Sequence, residues 1–311
     1  MRLVSPLLKL LSGSAALLLL WLLVGGFSSW TRSPPGPSPA GSSDLLSPSS
    51  YSYVLNQPGL CADRRPTLVA VVPVVPGDRT SRDAIRRTWG GAGALLTVFF
   101  VGLSVGGADD LSAESREHGD VIQMDFVDSY RNLTVKTLMI MNWVATHCAQ
   151  ASFAMKVDAD IFVNVFYLME LLRTYPTRGF ITGSVIRDGR PRRDRESKWF
   201  LSEDVYPDTY FPPYVSGAGY VFSTDVAEKV SLASRHVPAV PLEDVYVGLC
   251  LRAAGISPVY AHSFLALRNL FEVRHLEYDR CTFATRVIVN GFKPEELLRI
   301  WPDFSRNHLN C

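Results

Sequence analysis

The sequence lacks a charge imbalance. Its 311 residues include 31 lysines and arginines against 30 aspartates and glutamates, which gives a formal net charge of +1 at pH 7. A chain this close to neutral presents no broad basic field, so we expect no nucleic-acid partner. The sequence also has no glycine-rich phosphate loop and no internal repeat. These absences argue against a P-loop nucleotide site and against a repeat architecture.

Cysteine is scarce as well. The five cysteines are Cys61, Cys148, Cys250, Cys281 and Cys311. An odd number leaves at least one thiol unpaired within the chain, and the sequence alone does not give the pairing of the others.

The N-terminal region has one long apolar run. Residues 10–27 carry no charge, and Arg2 and Lys9 precede them. The run is close to the length that a membrane-spanning helix needs, and the basic residues before it predict a single-pass type II anchor with residues 1–9 in the cytosol. A cleaved signal peptide is the alternative, because small residues follow the run; its length favours the anchor.

Residues 28–66 are rich in serine, proline and glycine. They show too little apolar periodicity to form a core, which predicts an unfolded stem between the anchor and a single lumenal domain at 67–311. Asn132 begins the only Asn-x-Ser/Thr sequon with a permitted middle residue. In a lumenal domain this asparagine is predicted to be glycosylated.

The domain alternates between two kinds of apolar pattern. Apolar, β-branched runs predict strands, and longer runs with helical spacing predict helices. The strands are predicted at 67–75, 95–102, 121–126 and 153–158, and the helices at 81–89, 134–147 and 165–175. Ser81 or Thr80 is the predicted cap of the first helix. This alternation predicts an α/β fold with a mostly parallel central sheet and helices on both faces.

Two aspartates lie at the end of the last of these predicted strands. Asp158 and Asp160 have one residue between them and lie between two apolar runs. Alternate residues of an extended chain project the same way, so their carboxylates can converge on one hard cation, Mn²⁺ or Mg²⁺. Such an ion can neutralise a diphosphate oxygen. Asp-x-Asp triplets are common in surface turns, but the carboxylates at the end of a buried strand need a partner, which favours the metal site.

The second half of the chain is dense in tyrosine, proline and glycine. Residues 206–222 combine tyrosines next to prolines with Gly217 and Gly219. Aromatic walls of this kind suit the C–H face of a sugar ring, and a structural turn is the alternative.

Two charged segments lie in the same half. Glu243 and Asp244 precede an amphipathic run, which alone is an ordinary helix start. Residues 187–195 form the one dense basic run. It is either a solvated loop or a loop that attracts phosphate or an acidic glycan.

Six segments in this order resemble the inverting β-1,3-galactosyltransferases of glycosyltransferase family 31. They are residues 82–90, 130–137, 156–164, 197–199, 212–223 and 243–248. The resemblance implies a GT-A-like fold, a glycosyltransferase domain at 67–311 and residence in the Golgi membrane. It also implies UDP-galactose as donor, Mn²⁺ as cofactor, and a terminal β-linked GlcNAc or GalNAc on a glycoprotein, glycolipid or proteoglycan as acceptor.

The resemblance also implies roles for individual residues. Asp158 and Asp160 match metal ligands, and Asp244 matches the carboxylate base. The remaining matches are Arg82, Arg86 and Lys156 on the donor side, and Trp199, Tyr214, Gly217 and Glu243 on the acceptor side. These roles agree with the chemistry of inversion. A single in-line attack needs one base for the acceptor hydroxyl and one cation for the departing nucleotide.

One departure bears on metal binding. Relatives commonly have a histidine, resembling a third metal ligand, at the place where this chain has Asn290. An amide oxygen binds Mn²⁺ more weakly than an imidazole does. This departure leaves a catalytically silent relative that binds glycans as one alternative. A GlcNAc transferase of the same fold is the other, because the Glu-Asp-Val form at 243–245 resembles the galactosyl branch only by a small difference.

Overall fold

The computed structural model describes residues 50–93, 95–106, 110–264 and 277–311. The predicted tail at 1–9, the predicted anchor at 10–27 and residues 28–49 of the predicted stem lie outside these ranges. Among the described residues, no helix is both long and apolar enough to cross a membrane.

Eight strands of the described chain form one mixed sheet, in the order β1-β4-β3-β2-β5-β8-β7-β9, and β6 and β10 form a separate pair. The pairs β2–β3, β3–β4, β2–β5 and β7–β9 are parallel. The strands are β1 (Tyr53–Leu55), β2 (Leu68–Pro73), β3 (Leu95–Leu103), β4 (Val121–Val127), β5 (Phe153–Val157), β6 (Ile161–Val163), β7 (Ile181–Ile186), β8 (Tyr214–Ser223), β9 (Val259–Tyr260) and β10 (Ile288–Asn290).

Helices connect most of these strands. The α-helices of the described residues are α1 (Leu60–Arg64), α2 (Arg79–Arg86), α3 (Ser112–His118), α4 (Leu133–His147), α5 (Val165–Leu172), α6 (Thr224–Ala233), α7 (Glu243–Ala253), α8 (Arg280–Ala284) and α9 (Pro294–Asn307). Short 3₁₀ helices lie at Trp89–Gly91, Tyr130–Asn132 and His262–Phe264.

The core lies on both faces of the sheet, as β2 shows. Val69 and Val71 join an apolar cluster that contains residues of α4, α6 and α7. Leu68, Ala70 and Val72 point the other way and join a cluster with residues of α2 and α5. Alternate residues of a strand face opposite sides, so helices cover both faces. The predicted α/β fold with a mostly parallel sheet is confirmed.

Helix α2, the first helix predicted from the sequence, begins earlier than predicted. Asp78, not Ser81 or Thr80, is its cap, because the Asp78 carboxylate accepts a hydrogen bond from the Ser81 backbone N–H at 3.0 Å. Pro73, which has no N–H to donate, occupies the last position of β2.

The end of the predicted stem is folded. β1 pairs antiparallel with β4, and α1 carries Cys61, which is fully buried and bonded to Cys148. The prediction of an unfolded segment is therefore wrong for residues 53–64. These residues are held by pairing with the edge of the sheet and by a disulfide. Neither interaction requires a periodic pattern of apolar residues, so the sequence did not indicate them.

The cysteines form two disulfides and one free thiol. Cys61 pairs with Cys148 and Cys281 pairs with Cys311, while Cys250 is free and buried. The expectation of one unpaired thiol is confirmed.

Removing the first disulfide should lower stability strongly. We expect the double substitution Cys61→Ser with Cys148→Ser to lower the free energy of unfolding by about 4 kcal/mol, since a long unfolded loop is released. The bridged residues are 87 positions apart, against 30 for Cys281 and Cys311. The matched pair Cys281→Ser with Cys311→Ser should therefore cost roughly 1 kcal/mol less. Urea unfolding measures both, and unchanged midpoints would contradict this role of the first disulfide.

Candidate active site

Lys156 is the centre of a charged cluster at the end of β5. Its buried ammonium donates hydrogen bonds to Asp158 Oδ1 at 2.7 Å, to the Gly217 carbonyl oxygen at 2.5 Å and to Glu243 Oε1 at 2.9 Å. An ammonium has three N–H donors, so these three acceptors saturate it. Lys156 therefore joins Asp158, next to the end of one strand, to the first residue of α7.

The strand register explains why these residues meet. In the antiparallel pair β5–β8, Lys156 lies opposite Tyr220 and Val157 lies opposite Gly219. The pairing continues one residue further, where the Asp158 N–H donates to the Ala218 carbonyl oxygen at 3.1 Å. Because side chains of opposed residues project to the same face, Lys156 and Tyr220 both point to the face of the sheet that α7 covers.

Asp244 is held in place by two backbone groups. Its Oδ2 accepts from the Gly217 N–H at 3.2 Å and its Oδ1 accepts from the Val245 N–H at 2.8 Å. Burial raises the pKa of Asp244, and these two hydrogen bonds oppose the shift. The carboxylate therefore has a fixed orientation and a higher affinity for protons than an exposed aspartate.

Glu243 lies deeper than Asp244. Its Oε1 accepts from Lys156, and its Oε2 accepts from the Thr137 hydroxyl at 3.3 Å. Burial raises the pKa of Glu243 to about 7, although the charge of Lys156 acts in the opposite direction. Burial alone would lower the pKa of Lys156, but the charges of Asp158 and Glu243 outweigh it and hold that pKa above its ordinary value.

The two predicted metal ligands lie in the turn between β5 and β6. Burial raises the pKa of Asp160, and the negative charge of Asp158 adds to the shift. The backbone of Asn290 lies near this turn. β10 pairs with β6 so that Asn290 is opposite Ile161, and the Phe292 N–H donates to the Asp160 carbonyl oxygen at 2.8 Å.

This donor set fits a hard divalent cation. The carboxylates of Asp158 and Asp160 are of the oxygen-ligand type that Mn²⁺ or Mg²⁺ binds, and an amide side chain such as that of Asn290 offers the same type of ligand. Across the described ranges, no group of three or more His, Cys, Asp and Glu side chains is arranged to hold a metal ion. A cation here would therefore need further ligands from its substrate or from water.

The predicted acceptor-side residues line the same cluster. Gly217 contributes both its carbonyl and its N–H, as described above. Tyr214 is buried, and burial raises its pKa, with a further contribution from the charge of Asp244. Trp199 is 47% exposed. The structure brings Gly217 against Glu243 and Asp244, and it packs Tyr214 against Gly248 of α7.

Tyr130 belongs to the site although the sequence did not single it out. Burial raises the pKa of its phenol, and a hydrogen bond with the Trp199 side chain opposes that shift. The charges of Asp244, Glu243 and Asp158 raise it further. The sequence feature that could have indicated Tyr130 was its position in 130–137, one of the segments that carry the family resemblance.

Arg82 forms a separate, fully buried cluster. Its Nε and Nη2 donate to Glu114 at 2.7 and 2.6 Å. Its Nη1 donates to the carbonyl oxygens of Val75 and Pro76 at 3.2 and 2.9 Å. With a side chain that is 0% exposed, Arg82 fixes the turn after β2 and presents no accessible group for a donor. Its direct contact with the donor is therefore not supported by this geometry.

Arg86 extends that cluster. It donates to Asp120 at 2.8 and 2.7 Å, to Asp83 at 2.7 Å and to Glu114 at 2.8 Å. Burial alone would raise the pKa of Glu114, but the hydrogen bonds from Arg82 and Arg86 hold it at about 2. Among the described contacts, none links this cluster directly to Lys156 or Asp244, although β2 and β5 are parallel neighbours that end at the same edge.

The sequon asparagine lies at the start of α4. Asn132 donates from its side-chain amide to the Val127 carbonyl oxygen at 2.7 Å. Thr134, the third residue of the sequon, is buried and donates to the Val240 carbonyl oxygen. Glycosylation of Asn132 stays a prediction.

Adding one methyl group at position 217 should disturb the cluster. A Cβ on Gly217 would lie 2.6 Å from Glu243 Oε1 and 3.5 Å from Asp244 Oδ2. We expect Gly217→Ala to displace Glu243 from Lys156 and to lower kcat by about 100-fold, because small misplacements at a reacting centre are costly. Gly59→Ala, where a Cβ meets only the exposed Asp63 side chain at 3.3 Å, is the control. Equal kcat for the two variants would show that close packing at position 217 is unimportant.

Comparison with known proteins indicates the family. Residues 80–262 match the family described as Galactosyltransferase. β-1,3-Galactosyltransferase 1 of Homo sapiens is 41% identical over 280 residues, covering 86% of this chain and 82% of that protein. β-1,3-Galactosyltransferase 2 of Homo sapiens is 38% identical over 280 residues, with 85% and 65% covered. A solved structure titled WbbM bifunctional glycosyltransferase, apo, has 11% identity and a TM-score of 0.39, covering 78% of this chain and 50% of that one.

The galactosyltransferase family match and the two β-1,3-galactosyltransferase relatives define a hexosyltransferase that transfers galactose. The chain belongs to the β-1,3-galactosyltransferases of glycosyltransferase family 31.

Proposed function

We propose that the protein transfers galactose from UDP-galactose, with inversion, to the 3-hydroxyl of a terminal β-linked GlcNAc or GalNAc on a glycan. The observation that supports this most is the Lys156 hydrogen-bond cluster, which joins Asp158 to Glu243, the neighbour of Asp244. A base and a metal-binding carboxylate in one site are the two groups that a single displacement requires.

Asp244 is the proposed base. The Gly217 and Val245 N–H groups fix its carboxylate, and burial, by raising its pKa, increases its tendency to take a proton. The carboxylate accepts the proton of the acceptor 3-hydroxyl as that oxygen forms its bond to the anomeric carbon. Tyr130 and Trp199 are half-exposed and offer aromatic surface for the acceptor ring, while the buried Tyr214 packs against α7.

Asp158 and Asp160 are the proposed ligands of Mn²⁺, with the Asn290 side chain as a neighbouring oxygen donor. When bound, such an ion neutralises the charge that develops on the departing UDP. Lys156 keeps Asp158 beside Glu243, so we assign Lys156 a positioning role. We propose that Arg82 and Arg86 hold the turn that follows β2. This turn lies at the edge of the sheet where β2 and β5 end, which is where the donor would bind.

The cellular setting is part of the proposal. The uncharged run at 10–27 after Arg2 and Lys9 supports a single-pass type II anchor in the Golgi membrane, with the catalytic residues in the lumen. The disulfides Cys61–Cys148 and Cys281–Cys311 fit an oxidising compartment.

A donor and acceptor panel tests the function. Purified protein is incubated with UDP-galactose or UDP-GlcNAc and with β-GlcNAc and β-GalNAc glycosides, with and without Mn²⁺. We expect transfer from UDP-galactose that requires the metal. Transfer from UDP-GlcNAc but not from UDP-galactose would reject the proposed donor. Binding of UDP or glycan without any turnover would favour a catalytically silent protein.

The substitution Asn290→His tests the proposed metal site. The register of β10 against β6 places Asn290 opposite Ile161, the residue after Asp160, and an imidazole binds Mn²⁺ better than an amide does. We expect the variant to bind Mn²⁺ about ten-fold more tightly, as measured by calorimetry in the presence of UDP. The control is Asn307→His, on α9. Unchanged Mn²⁺ affinity in Asn290→His would remove position 290 from the metal site.

A further inference from the structure

The segment between β7 and β8 concentrates positive charge. Residues 187–198, which we call the basic loop, contain six basic and three acidic side chains in a chain whose net charge is +1. The exposed basic residues are Arg187, Arg190, Arg192, Arg195 and Lys198. Within the part of the chain that the structure describes, none of these five forms an ion pair with an acidic side chain.

The basic loop borders the active site at two points. A Cβ on Gly189 would lie 2.8 Å from Cε1 of Tyr214, so the loop backbone packs directly on that ring. Tyr214 in turn packs against α7, the helix that begins with Glu243 and Asp244, because a Cβ on Gly248 would lie 2.5 Å from the Tyr214 Cβ. Immediately after the loop lies Trp199, which the family resemblance assigns to the acceptor side and which is 47% exposed. The loop therefore lies along the proposed acceptor side.

Several contacts fix how the basic loop presents its charges. Arg193 is the member that points inward, where it donates to the carbonyl oxygens of Leu201 and Tyr206 at 2.6 and 2.7 Å. The Arg190 guanidinium stacks over the Tyr210 ring at 4.4 Å from its centroid. Stacking restrains a guanidinium while its edge N–H groups can bind a carboxylate or a sulfate in a forked geometry.

We propose that the basic loop binds a negatively charged group, a carboxylate or a sulfate, on the acceptor glycan near the sugar that receives galactose. This inference rests on the proposed function. The active site already holds Asp158, Asp160 and Asp244, which repel an anionic acceptor. Unpaired cations beside the site offset that repulsion and select the acidic acceptor over a neutral one. Surface charges act over about 8–10 Å at moderate salt, so the preference depends on ionic strength.

The test compares three glycans that end in the same β-GlcNAc. One is neutral, one carries a 6-sulfate, and one has a glucuronic acid as its second sugar. Their dissociation constants are measured by calorimetry at low and high ionic strength, and galactose transfer is followed in parallel. The test variant combines Arg190→Gln, Arg192→Gln and Arg195→Gln. The control combines Arg173→Gln, Arg178→Gln and Arg235→Gln, which remove the same charge from exposed positions elsewhere.

We expect at least one acidic glycan to bind about ten-fold more tightly than the neutral glycan at low salt, as charge-assisted hydrogen bonds predict. High salt and the test variant should both remove most of that difference, while the control keeps it. The tighter acidic glycan identifies carboxylate or sulfate as the recognised group. Equal affinities for all three glycans, no binding at all, or a preference that survives in the test variant would overturn the proposal. Binding without galactose transfer would count against the proposed function alone.

Discussion

Asp244→Asn is expected to lower kcat by roughly 10²- to 10⁴-fold, the usual contribution of a positioned general base. Asparagine has nearly the same shape, but its amide cannot take the proton of the acceptor hydroxyl. UDP should bind as before, because the substitution leaves Asp158 and Asp160 unchanged. Steady-state kinetics give kcat, and calorimetry gives the UDP affinity.

The control for this substitution is Asp63→Asn, which removes an exposed carboxylate from α1 and should leave kcat unchanged. Near-normal turnover by Asp244→Asn would contradict its assignment as the base. Glu243, whose pKa is raised by burial to about 7, would then be the remaining carboxylate to test in that role.

Lys156→Met is expected to cost about 3–5 kcal/mol of stability, the usual result of removing one partner of a buried ion pair. The side chain of Lys156 is 4% exposed and that of Glu243 is 9% exposed, so the remaining carboxylate lacks both water and a counter-charge. Turnover should fall as well, because Asp158 and Glu243 lose the group that joins them. Urea unfolding measures the change in stability.

A second substitution separates charge from packing. Lys156→Met combined with Glu243→Gln removes both charges, so we expect it to be more stable than Lys156→Met alone. Lys229→Met is the control, because its ion pair with Asp225 is partly exposed and should contribute at most about 1 kcal/mol. Equal losses for Lys156→Met and Lys229→Met would contradict a special role for the buried cluster.

The strands and helices with strong periodicity were predictable. The strand predicted at 95–102 is Leu95–Leu103, and the helix predicted at 134–147 is Leu133–His147. Both depend on apolar residues close in sequence. The position of Asp158 at a strand end followed for the same reason, because an apolar run precedes it.

Features that depend on distant partners were not predictable. Arg82 is buried because Glu114, 32 positions away, neutralises it. β1 is a strand because it pairs with β4 at the edge of the sheet, and its own three residues contain no pattern that predicts this pairing. The saturation of Lys156 by Gly217 and Glu243 likewise depends on how β5, β8 and α7 meet. The residue types indicated the chemistry, and the tertiary contacts determined which side chains remain accessible for it.

The configuration of the product tests the central claim most directly. One carboxylate base and one metal-supported leaving group imply a single displacement at the anomeric carbon. We expect proton NMR of the product formed from UDP-galactose, an α-linked donor, to show a β-linked galactose on the 3-oxygen of the acceptor. An α-linked galactose in the initial product would contradict the account.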